Sequence, residues 1–425
     1  MRLCMFEDSG IAGLEPLACA RPAFDLRCGT ATIFEKHVRT FRHTALGALV
    51  RPPVARIAAR DHPHVTVNES AWLTHGPAIL VNARWLPPKR FRLTAPSGPF
   101  VAVSGDSIAY AVLTPAELAD CTPQNVDACL AAWRARVPNR AADGRLVRHL
   151  WDLVEWNGDE IATDFPHLGH DDMDGWPTTL TLVGPSDALW VADTARVDPF
   201  VVADTTSGPV VIDHDAVVTS FTRLEGPCYV GRRTQVFAAN VRGGTTIGPN
   251  CRIGGEVSAS ILLGNTNKSH EGYLGHSYVG EWVNLGAGTH ASDLRIDYAT
   301  VRVAVGGRAV DTRLTKVGAF IGDHAKAAVG CRLNAGSHIG PFAQLLPCGP
   351  LLPKYVPAFC TVDHGRIIAR PDPHPLFEAA VRVTARRGGE FTEVDRALYK
   401  SLFDRTATHR RTAVHEAELR RLRHG

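Results

Sequence analysis

Apolar residues recur at every sixth position over much of the second half of this chain. A six-residue period fits neither an amphipathic α-helix nor an alternating strand. It is typical of a β-solenoid, in which each hexad forms a short strand and a corner and its apolar residue points inward. The hexads predict inward positions at Ile212, Val218, Leu224, Val230, Val236, Val241, Ile247, Ile253, Val279, Leu285, Ile321, Ala327, Leu333, Ile339 and Leu345.

Three domains are predicted around this repeat. Residues 1–185 are expected to form an α/β domain with its linker, residues 186–370 a β-helix, and residues 371–425 a helical tail. The tail is amphipathic with many arginines on its polar face, which fits either a cap over the end of the solenoid or an anion site. The linker is expected within residues 167–186, which are rich in Gly, Asp and Pro.

Shorter patterns add detail. The apolar runs Ala78–Asn82 and Phe100–Val103 predict buried strands, and residues 122–136 have helical spacing after a Thr-Pro start. Residues 290–315 interrupt the hexads and predict a hairpin with Gly306 and Gly307 at its tip.

Composition restricts the class of protein. The 425 residues are 45% hydrophobic and 21% charged, with a net charge of +3, which argues against a nucleic-acid footprint. The chain has no apolar run long enough for a membrane span, and its first residues do not resemble a signal peptide. The 10 cysteines are scattered without a Cys-x-x-Cys pair, so we expect reduced thiols in a cytoplasmic protein and no zinc site.

A polar, glycine-rich block from Asn267 to Thr289 stands within the hexads and is the strongest candidate site. His270 can accept a proton near neutral pH, whereas a histidine in such a loop is otherwise simply solvated. Lys268 and Arg242 can bind a phosphate or the anionic part of a cofactor.

The rest of the block suits acyl transfer. Tyr273 and Asn284 can orient a sugar or an amine, and backbone N–H groups in residues 285–288 can polarise a carbonyl oxygen. Together with His270 these groups favour transfer of an acyl group from a thioester to an amine. The other nearby histidines, His276 and His290, are expected to be solvated or locally bonded.

The block resembles a known family. The runs NKSHEGYLG, from Asn267, and GEWVNLGAGT, ending at Thr289, are similar to the acetyltransferase half of the bifunctional N-acetylglucosamine-1-phosphate uridyltransferase/glucosamine-1-phosphate acetyltransferase. The resemblance implies a left-handed parallel β-helix that forms a homotrimer, with acetyl-CoA bound between subunits. It implies that His270 is the general base. It also implies that the following residues contact the sugar, its phosphate and the acyl donor: Arg242, Lys268, Tyr273, Asn284, Gly286, Ala287 and Gly288.

Some positions depart from the family pattern. Lys268 lies one residue closer to the histidine than the family's lysine, and Glu256 is not followed by the family's lysine pair. The segment after Thr289 also differs, so Arg295 or Arg302 is an alternative source of positive charge.

The first domain resembles a divergent sugar nucleotidyltransferase branch fused to the same β-helix. Its motifs include Phe6-Glu7-Asp8, Arg21-Pro22, FDLRCG from Phe24, and VNARWLP from Val81, while the family's glycine-rich nucleotide loop is absent. The resemblance implies Mg²⁺ as a cofactor, and it implies residues that bind the nucleotide and the metal. For Arg21 and Arg27, the alternative interpretation is a turn stabilised by ion pairs. The candidate nucleotide-binding residues are Arg21, Arg27, Lys36 and Asn82, and the candidate magnesium ligands are Asp8 and Asp25.

Three functions remain open on the sequence. The first is a transferase with small-molecule substrates that makes UDP-N-acetylglucosamine or a related sugar nucleotide by nucleotidyl and acetyl transfer. The second keeps only nucleotidyl transfer, for example to glucose-1-phosphate, and uses the β-helix as a trimerisation scaffold. The third is a regulatory subunit that binds sugar nucleotides without turnover.

Overall fold

The structure is a computed structural model that describes residues 1–93, 98–168, 177–347 and 349–424. It divides into two compact units. The first comprises Met1–Leu14, Ala20–Arg27 and Ala31–His149, and the second comprises Glu15–Cys19, Cys28–Thr30 and Leu150–Gly425. Part of the predicted linker lies outside the described residues, and the predicted boundaries of the sequence domains stay predictions.

The first unit is built on a seven-stranded mixed sheet. Four neighbouring strands are parallel, and the strand Ser107–Leu113 is antiparallel to one of them. The predicted strand Ala78–Asn82 is confirmed, and the run from Phe100 extends to Ser104. Across the sheet the order is Asn139–Ala141, Phe100–Ser104, Ser107–Leu113, Ala78–Asn82, Arg2–Phe6, Leu46–Leu49 and Val65–Val67.

Short helices and strand pairs complete this unit. The first helix begins with a capping box, in which Thr32 and Glu35 each bond the other's backbone N–H. The helix expected within residues 122–136 is present as Val126–Arg136. The helices are α1 (Ile33–Thr40), α2 (Ala55–Asp61), α3 (Ser70–Thr74), α4 (Pro115–Leu118) and α5 (Val126–Arg136), with 3₁₀ turns at Ser9–Leu14, Ala23–Asp25 and Pro52–Val54 and the strand pair Trp85–Leu86 with Arg145–Leu146. The 3₁₀ turn Leu17–Ala20 and the strand pair Arg27–Cys28 with Ala31–Thr32 contain residues of both units.

The second unit is a parallel β-helix whose coils have three sides. We call one side the asparagine face; it carries Arg196–Val197, Val217–Val218, Asn267–Lys268, Asn284–Leu285, Lys326–Ala327, Gln344–Leu345, Cys360–Asp363 and Arg366–Ala369. The tyrosine face carries Thr181–Val183, Val202–Asp204, Arg223–Glu225, Tyr273–Gly275, His290–Ala291 and Arg332–Leu333. Two longer strands, Gln235–Val241 and Arg252–Ser258, run round the corner between these faces.

The third side is a nine-stranded sheet that α6 (Leu150–Asp164) covers. Outward residues such as Val211 and Ile261 are therefore fully buried. The Asn157 amide on α6 donates to the carbonyl of Gly244 at 2.8 Å. The strands are Leu189–Val191, Val210–Ile212, Cys228–Val230, Thr245–Ile247, Ile261–Leu262, Tyr278–Val279, Phe320–Ile321, His338–Ile339 and Tyr355–Val356, and short 3₁₀ turns lie at Phe165–His167 and Ser186–Ala188.

The inward residues of the coils form one continuous apolar column. Every inward position predicted from the hexads belongs to this cluster and is at most 3% exposed. The hairpin is also confirmed, with Arg302–Val305 antiparallel to Arg308–Asp311 around Gly306 and Gly307. The tail is helical as predicted, and consists of α7 (His374–Ala385), α8 (Glu393–Arg405) and α9 (Ala407–His424).

These elements confirm the predicted fold class, an α/β N-terminal part followed by a parallel β-helix of hexads and a helical tail. In the described part of the chain, no helix combines the length and the apolar character that a bilayer span requires.

Candidate functional site

Polar side chains of the first unit meet where its parallel strands end. Asp8 follows the strand Arg2–Phe6, and Asn82 ends the adjacent strand. Arg84 donates from both its Nε and a terminal nitrogen to the Asp8 carboxylate, at 2.8 and 2.6 Å. The Asn82 amide donates to the same carboxylate at 2.8 Å, and Gly10 N–H donates at 3.1 Å. Sequence reasoning missed Arg84, although it lies in the VNARWLP motif.

Asn82 is fully buried in this network. Its Nδ2 also donates to the carbonyl of Ile108 at 3.0 Å, and its Oδ1 accepts from the Arg84 backbone N–H at 3.0 Å. Because both ends of the amide are engaged within the protein, Asn82 braces the strand ends in this structure. Its predicted contact with a nucleotide stays a prediction.

The remaining predicted residues of this unit are also held by protein groups. His62 Nε2 lies 2.8 Å from the Asp25 carboxylate. Burial raises the pKa of Asp25, against the lowering effect of His62 and the Arg21 charge. Lys36, on α1, is only 1% exposed, while Arg21 and Arg27 are partly exposed. The structure therefore brings Arg21 near Asp25 but encloses Lys36.

The predicted magnesium ligands do not fit a metal. Asp8 accepts hydrogen bonds from a guanidinium and an amide, which occupy both carboxylate oxygens, and Asp25 faces an imidazole. A magnesium site needs oxygen ligands that remain available to the ion. Among the described residues there is no group of three or more His, Cys, Asp or Glu side chains placed to hold a metal.

In the β-helix, the polar block is divided between two faces. Asn284 lies on the asparagine face beside Asn267, whose Nδ2 donates to the Asn284 Oδ1 at 2.8 Å. Tyr273 lies on the tyrosine face, and His270 lies at the corner between the two strands. His270 is exposed, and no described residue hydrogen bonds to its ring.

Lys268 points into the β-helix rather than toward a ligand. It pairs with the inward residue Ile253 and is 2% exposed. Its Nζ donates to the carbonyls of Gly254 and Gly272, both at 2.7 Å, and of His270 at 3.3 Å. Burial lowers the pKa of Lys268 to about 8. The predicted substrate contact is therefore not supported by this placement, because the amine already bonds three carbonyls of the coil.

A cationic cleft lies on the asparagine face beside Asn284. It has a volume of about 290 Å³ and runs between this face and α7. Burial, followed by the nearby charge of Arg387, lowers the pKa of Lys326 to about 8. None of the described lining residues is acidic, so positive charges are concentrated here. The lining cations are Arg252, Lys326, Arg386 and Arg387.

On the tyrosine face, Asp293 binds two titratable groups. It accepts hydrogen bonds from Tyr273 Oη at 2.7 Å and from His276 Nδ1 at 2.6 Å. Burial by itself raises the pKa of Asp293, but hydrogen bonds from His276 and Tyr273 hold that pKa below its ordinary value. Burial and the bond to Asp293 raise the pKa of Tyr273.

The surroundings of this cluster restrict its geometry. A Cβ at Gly275 would lie 2.2 Å from Tyr273 Oη and 2.4 Å from the Asp293 carboxylate. Residue 275 must therefore lack a side chain for the Tyr273–Asp293 bond to form. Sequence reasoning missed Asp293 and expected His276 to be solvated or locally bonded, and the bond to Asp293 agrees with the second alternative. The available signal was their separation of 17 residues, which equals the local coil length, as in the pairing of Val257 with Leu274.

Arg242 lies on the same face, where it forms a 2.7 Å ion pair with Glu256. Both side chains remain more than a third exposed. The alternative cation Arg295 is instead paired with Asp297, and Arg302 donates to Ala309 within the hairpin. Arg242 is thus the predicted phosphate contact that the structure keeps on the surface.

The predicted donor-binding loop is only partly open. Gly286 N–H donates to the carbonyl of Ala327 at 2.9 Å, and Gly288 N–H donates to that of Glu271 at 3.1 Å. Because these N–H groups already donate to backbone carbonyls of neighbouring coils, they are not arranged to polarise a thioester carbonyl. The proposed acyl-donor contacts of Gly286, Ala287 and Gly288 stay predictions.

Comparison with known proteins supports the resemblance. Residues 3–172 match a family model described as sugar nucleotidyl transferase. A bifunctional sugar-1-phosphate nucleotidylyltransferase/acetyltransferase from Sulfurisphaera tokodaii is 34% identical over 151 residues, which cover 33% of this chain and 36% of that protein. The bifunctional protein GlmU of Methanocaldococcus jannaschii is 33% identical over 104 residues, which cover 24% of this chain and 25% of that protein.

These matches confirm the resemblance to a divergent branch of nucleotidyltransferase/acetyltransferase proteins. The chain spans only 36% and 25% of the length of these two curated relatives. Among solved structures, a UDP-N-acetylglucosamine acyltransferase from Campylobacter jejuni is 12% identical, with 56% of this chain and 94% of that chain covered and a TM-score of 0.25. That likeness is too weak to indicate a shared activity.

Proposed function

We propose that this protein is a two-part transferase of sugar-nucleotide biosynthesis. Its first unit transfers a nucleotidyl group to a sugar-1-phosphate, and its β-helix transfers an acetyl group from acetyl-CoA to an amino sugar. The observation that carries the proposal is the concentration of polar, titratable side chains on two faces of an otherwise regular β-helix. The match of residues 3–172 to sugar nucleotidyl transferases supports the first activity.

The division of the block between faces favours a homotrimer. Tyr273 and Asn284 lie on different sides of a convex corner, so one copy cannot enclose a ligand between them. If the asparagine face of one copy met the tyrosine face of another, the two residues would line one cleft. This arrangement agrees with the resemblance, which implies acetyl-CoA between subunits and His270 as the general base.

The cationic cleft suits the anionic part of the acyl donor. Coenzyme A carries a diphosphate and a 3′-phosphate, and Arg and Lys side chains bind such groups strongly when they are partly desolvated. Arg252 and Lys326 lie beside Asn284, so a donor held there would run along the asparagine face. Arg242 on the other face would then bind the sugar phosphate in exchange for Glu256.

The nucleotidyl transfer is proposed without metal ligands from Asp8 or Asp25, because neither carboxylate is arranged to hold magnesium. A second candidate follows from the same observation. The saturated Asp8–Arg84–Asn82 network favours a first unit that binds sugar nucleotides without turnover. The nine described cysteines form no disulfide with one another, in keeping with a cytoplasmic location in either case.

The experiment is a turnover panel on the purified chain. Pyrophosphate release is measured with four nucleoside triphosphates and several sugar-1-phosphates, and CoA release is measured with acetyl-CoA and glucosamine-1-phosphate or glucosamine. We expect both activities and a trimeric mass by light scattering. Stabilisation by sugar nucleotides without pyrophosphate release would select the second candidate. Absence of CoA release with every amino sugar would contradict the proposed acetyl transfer.

A further inference from the structure

The second unit carries an exposed pair of stacked phenylalanines on the corner between the asparagine face and the tyrosine face. Phe200 and Phe221 each follow a strand of the asparagine face and precede a strand of the tyrosine face. Their rings are nearly parallel, with centroids 5.8 Å apart, and the Phe221 N–H donates to the Phe200 carbonyl at 3.2 Å. The two residues are 69% and 74% exposed. Adjacent coils therefore hold two phenyl rings in register on the surface.

The most exposed apolar side chains of the coils are concentrated on this corner. Among the described residues, five large apolar residues are at least 67% exposed. Ile296 and Tyr298 belong to the excursion, and the other three are Phe200, Phe221 and Val329. Val329 also stands between a strand of the asparagine face and a strand of the tyrosine face. Clustered exposed apolar side chains mark a surface that another molecule covers.

The intervening coils present little side chain at the same corner. Ala238 takes the place of Phe221 in the next coil and Gly255 follows it, with φ values of 41° and 68°. Gly272 and Gly288 continue the corner in the coils around His270. Glycine and alanine let another backbone approach closely. The corner is thus narrow beside His270, and the phenyl rings project from its earlier coils.

The shape of the coils places this corner at the axis of the proposed homotrimer. In a closed three-fold arrangement each copy meets the next through two different surfaces, here the asparagine face of one copy and the tyrosine face of another. Three triangular prisms arranged in this way touch at the corner that the two faces share, and the faces diverge outward from it. The corner therefore makes the contact, whereas the diverging faces leave a cleft between Asn284 and Tyr273.

We propose that Phe200 and Phe221 from three copies of this chain pack against one another at the three-fold axis and hold the homotrimer together. The inference rests on the proposed homotrimer and names its central contact. Aromatic side chains are enriched at protein interfaces because each ring buries a large apolar area. The phenyl rings of three copies would form an apolar plug at the earlier coils, and Val329 would make a smaller contact at the later ones.

Oligomeric mass tests this contact. Asparagine is the substitute, because Phe200 and Phe221 have φ values of 65° and 66°, which asparagine tolerates. Analytical ultracentrifugation compares the wild type, the double variant Phe200→Asn with Phe221→Asn, and the control Tyr298→Asn. Tyr298 is a similarly exposed aromatic residue with a φ of 54°, and it lies outside the corner.

We expect the wild type and the control to sediment as trimers and the double variant to sediment as single chains. The far-ultraviolet circular dichroism of the double variant should match that of the wild type, because its coils stay folded. A double variant that remains trimeric would overturn the assignment.

Cross-linking locates the contact without relying on dissociation. Phe221→Cys would bring three thiols together at the axis, so oxidation with copper phenanthroline should give a disulfide-linked pair of chains on a non-reducing gel. The wild type and Tyr298→Cys, treated in the same way, should remain single chains on the gel. A trimeric Phe221→Cys protein that forms no linked pair would overturn the position of the corner.

The two enzyme assays separate this inference from the proposed function. The double variant should lose CoA release, because the cleft needs faces from two copies, and should keep pyrophosphate release by the first unit. A trimeric wild type that releases no CoA would contradict the acetyl transfer and leave the axial contact standing. A monomeric wild type would overturn the homotrimer and the contact together.

Discussion

Asp8 in the first unit and Asp293 in the β-helix are two enclosed aspartates with different partners. Their side chains are similarly hidden, at 8% and 10% exposure. Asp8 binds a guanidinium and an amide, neither of which exchanges protons near neutral pH. Asp293 binds a phenol, whose pKa is raised, and an imidazole, the side-chain type that most often serves as a proton acceptor in proteins. The chemistry of the partners, rather than burial, separates a structural brace from a candidate acid–base site.

The locations of the two aspartates explain this difference. Asp8 follows an interior strand of the first unit's sheet, where an unpaired charge would be costly, and Arg84 neutralises it. Asp293 lies at a corner of a coil, where its partners Tyr273 and His276 are themselves partly exposed. The following predictions test this contrast, beginning with the largest expected effect.

Replacing Arg84 by methionine should destabilise the first unit strongly. It leaves the Asp8 carboxylate enclosed without its cation, and breaking a buried ion pair in this way costs about 3–5 kcal/mol. The free energy of unfolding is measured by urea denaturation. The double variant Asp8→Leu with Arg84→Met should recover most of the loss, because no unpaired charge remains. A loss below about 1 kcal/mol in the single variant would mean that Asp8 is not a braced residue.

Lys268 should make the stability of the β-helix depend on pH. Its pKa is lowered from 10.5 to about 8 in the folded chain, so the unfolded chain binds more protons between these values. The charged amine opposes folding below pH 8, and this penalty disappears as the pH rises toward 10.5. Relative to Lys268→Met, the wild type should therefore gain at most about 3 kcal/mol over that range.

The control for Lys268 is Lys316→Met, which removes an exposed lysine of the same unit. Thermal midpoints of the three proteins are compared from pH 7 to pH 10.5. A wild type that loses stability relative to Lys268→Met as the pH rises would contradict the inward placement of the amine.

Alanine at Gly275 should disrupt the Asp293 cluster. The added Cβ would overlap Tyr273 Oη, and overpacking of this kind costs about 1–3 kcal/mol. We expect a lower thermal midpoint together with slower CoA release. Gly389→Ala is the matched control, because the nearest atoms to a Cβ there lie at 3.6 Å, an ordinary van der Waals distance. Equal behaviour of the two variants would show that the Tyr273–Asp293 bond is dispensable.

The smallest stability effect is expected for Arg242→Gln. The pair with Glu256 is exposed, and such pairs contribute at most about 1 kcal/mol. If Arg242 binds the sugar phosphate, the variant should raise KM for glucosamine-1-phosphate and leave the thermal midpoint unchanged. Arg196→Gln, which removes another exposed ion pair of the β-helix, serves as the control. An unchanged KM would show that Arg242 does not bind the sugar phosphate.

Much of the β-helix was predictable, because each hexad repeats the same local requirement for an inward apolar residue. The repeat even contained the signal for Lys268, which stands six residues after Leu262 and six before Leu274. The resemblance instead assigns the Lys268 amine a contact with the substrate. A cation at an inward position indicates an amine that bonds coil carbonyls.

The contacts between coils and between strand ends were harder to predict. His276 meets Asp293 only because the coil there is 17 residues long and the chain leaves on an excursion directly afterwards. Arg84 reaches Asp8 across the gap between two parallel strands, and no local periodicity encodes that meeting. These positions depend on register, which a single sequence constrains weakly at corners and strand ends.

The hairpin between residues 302 and 311 makes this protein convenient to modify. The chain leaves the coil at Asp293 and returns at Val317, whose N–H donates to the Asp293 carbonyl at 2.8 Å. This hydrogen bond joins the two ends of the excursion. A side chain at Gly306 or Gly307 would meet no atom within 4 Å. A peptide tag or a small domain inserted at this tip would therefore leave the coil ladder intact, which offers a point of attachment for immobilising or labelling the protein.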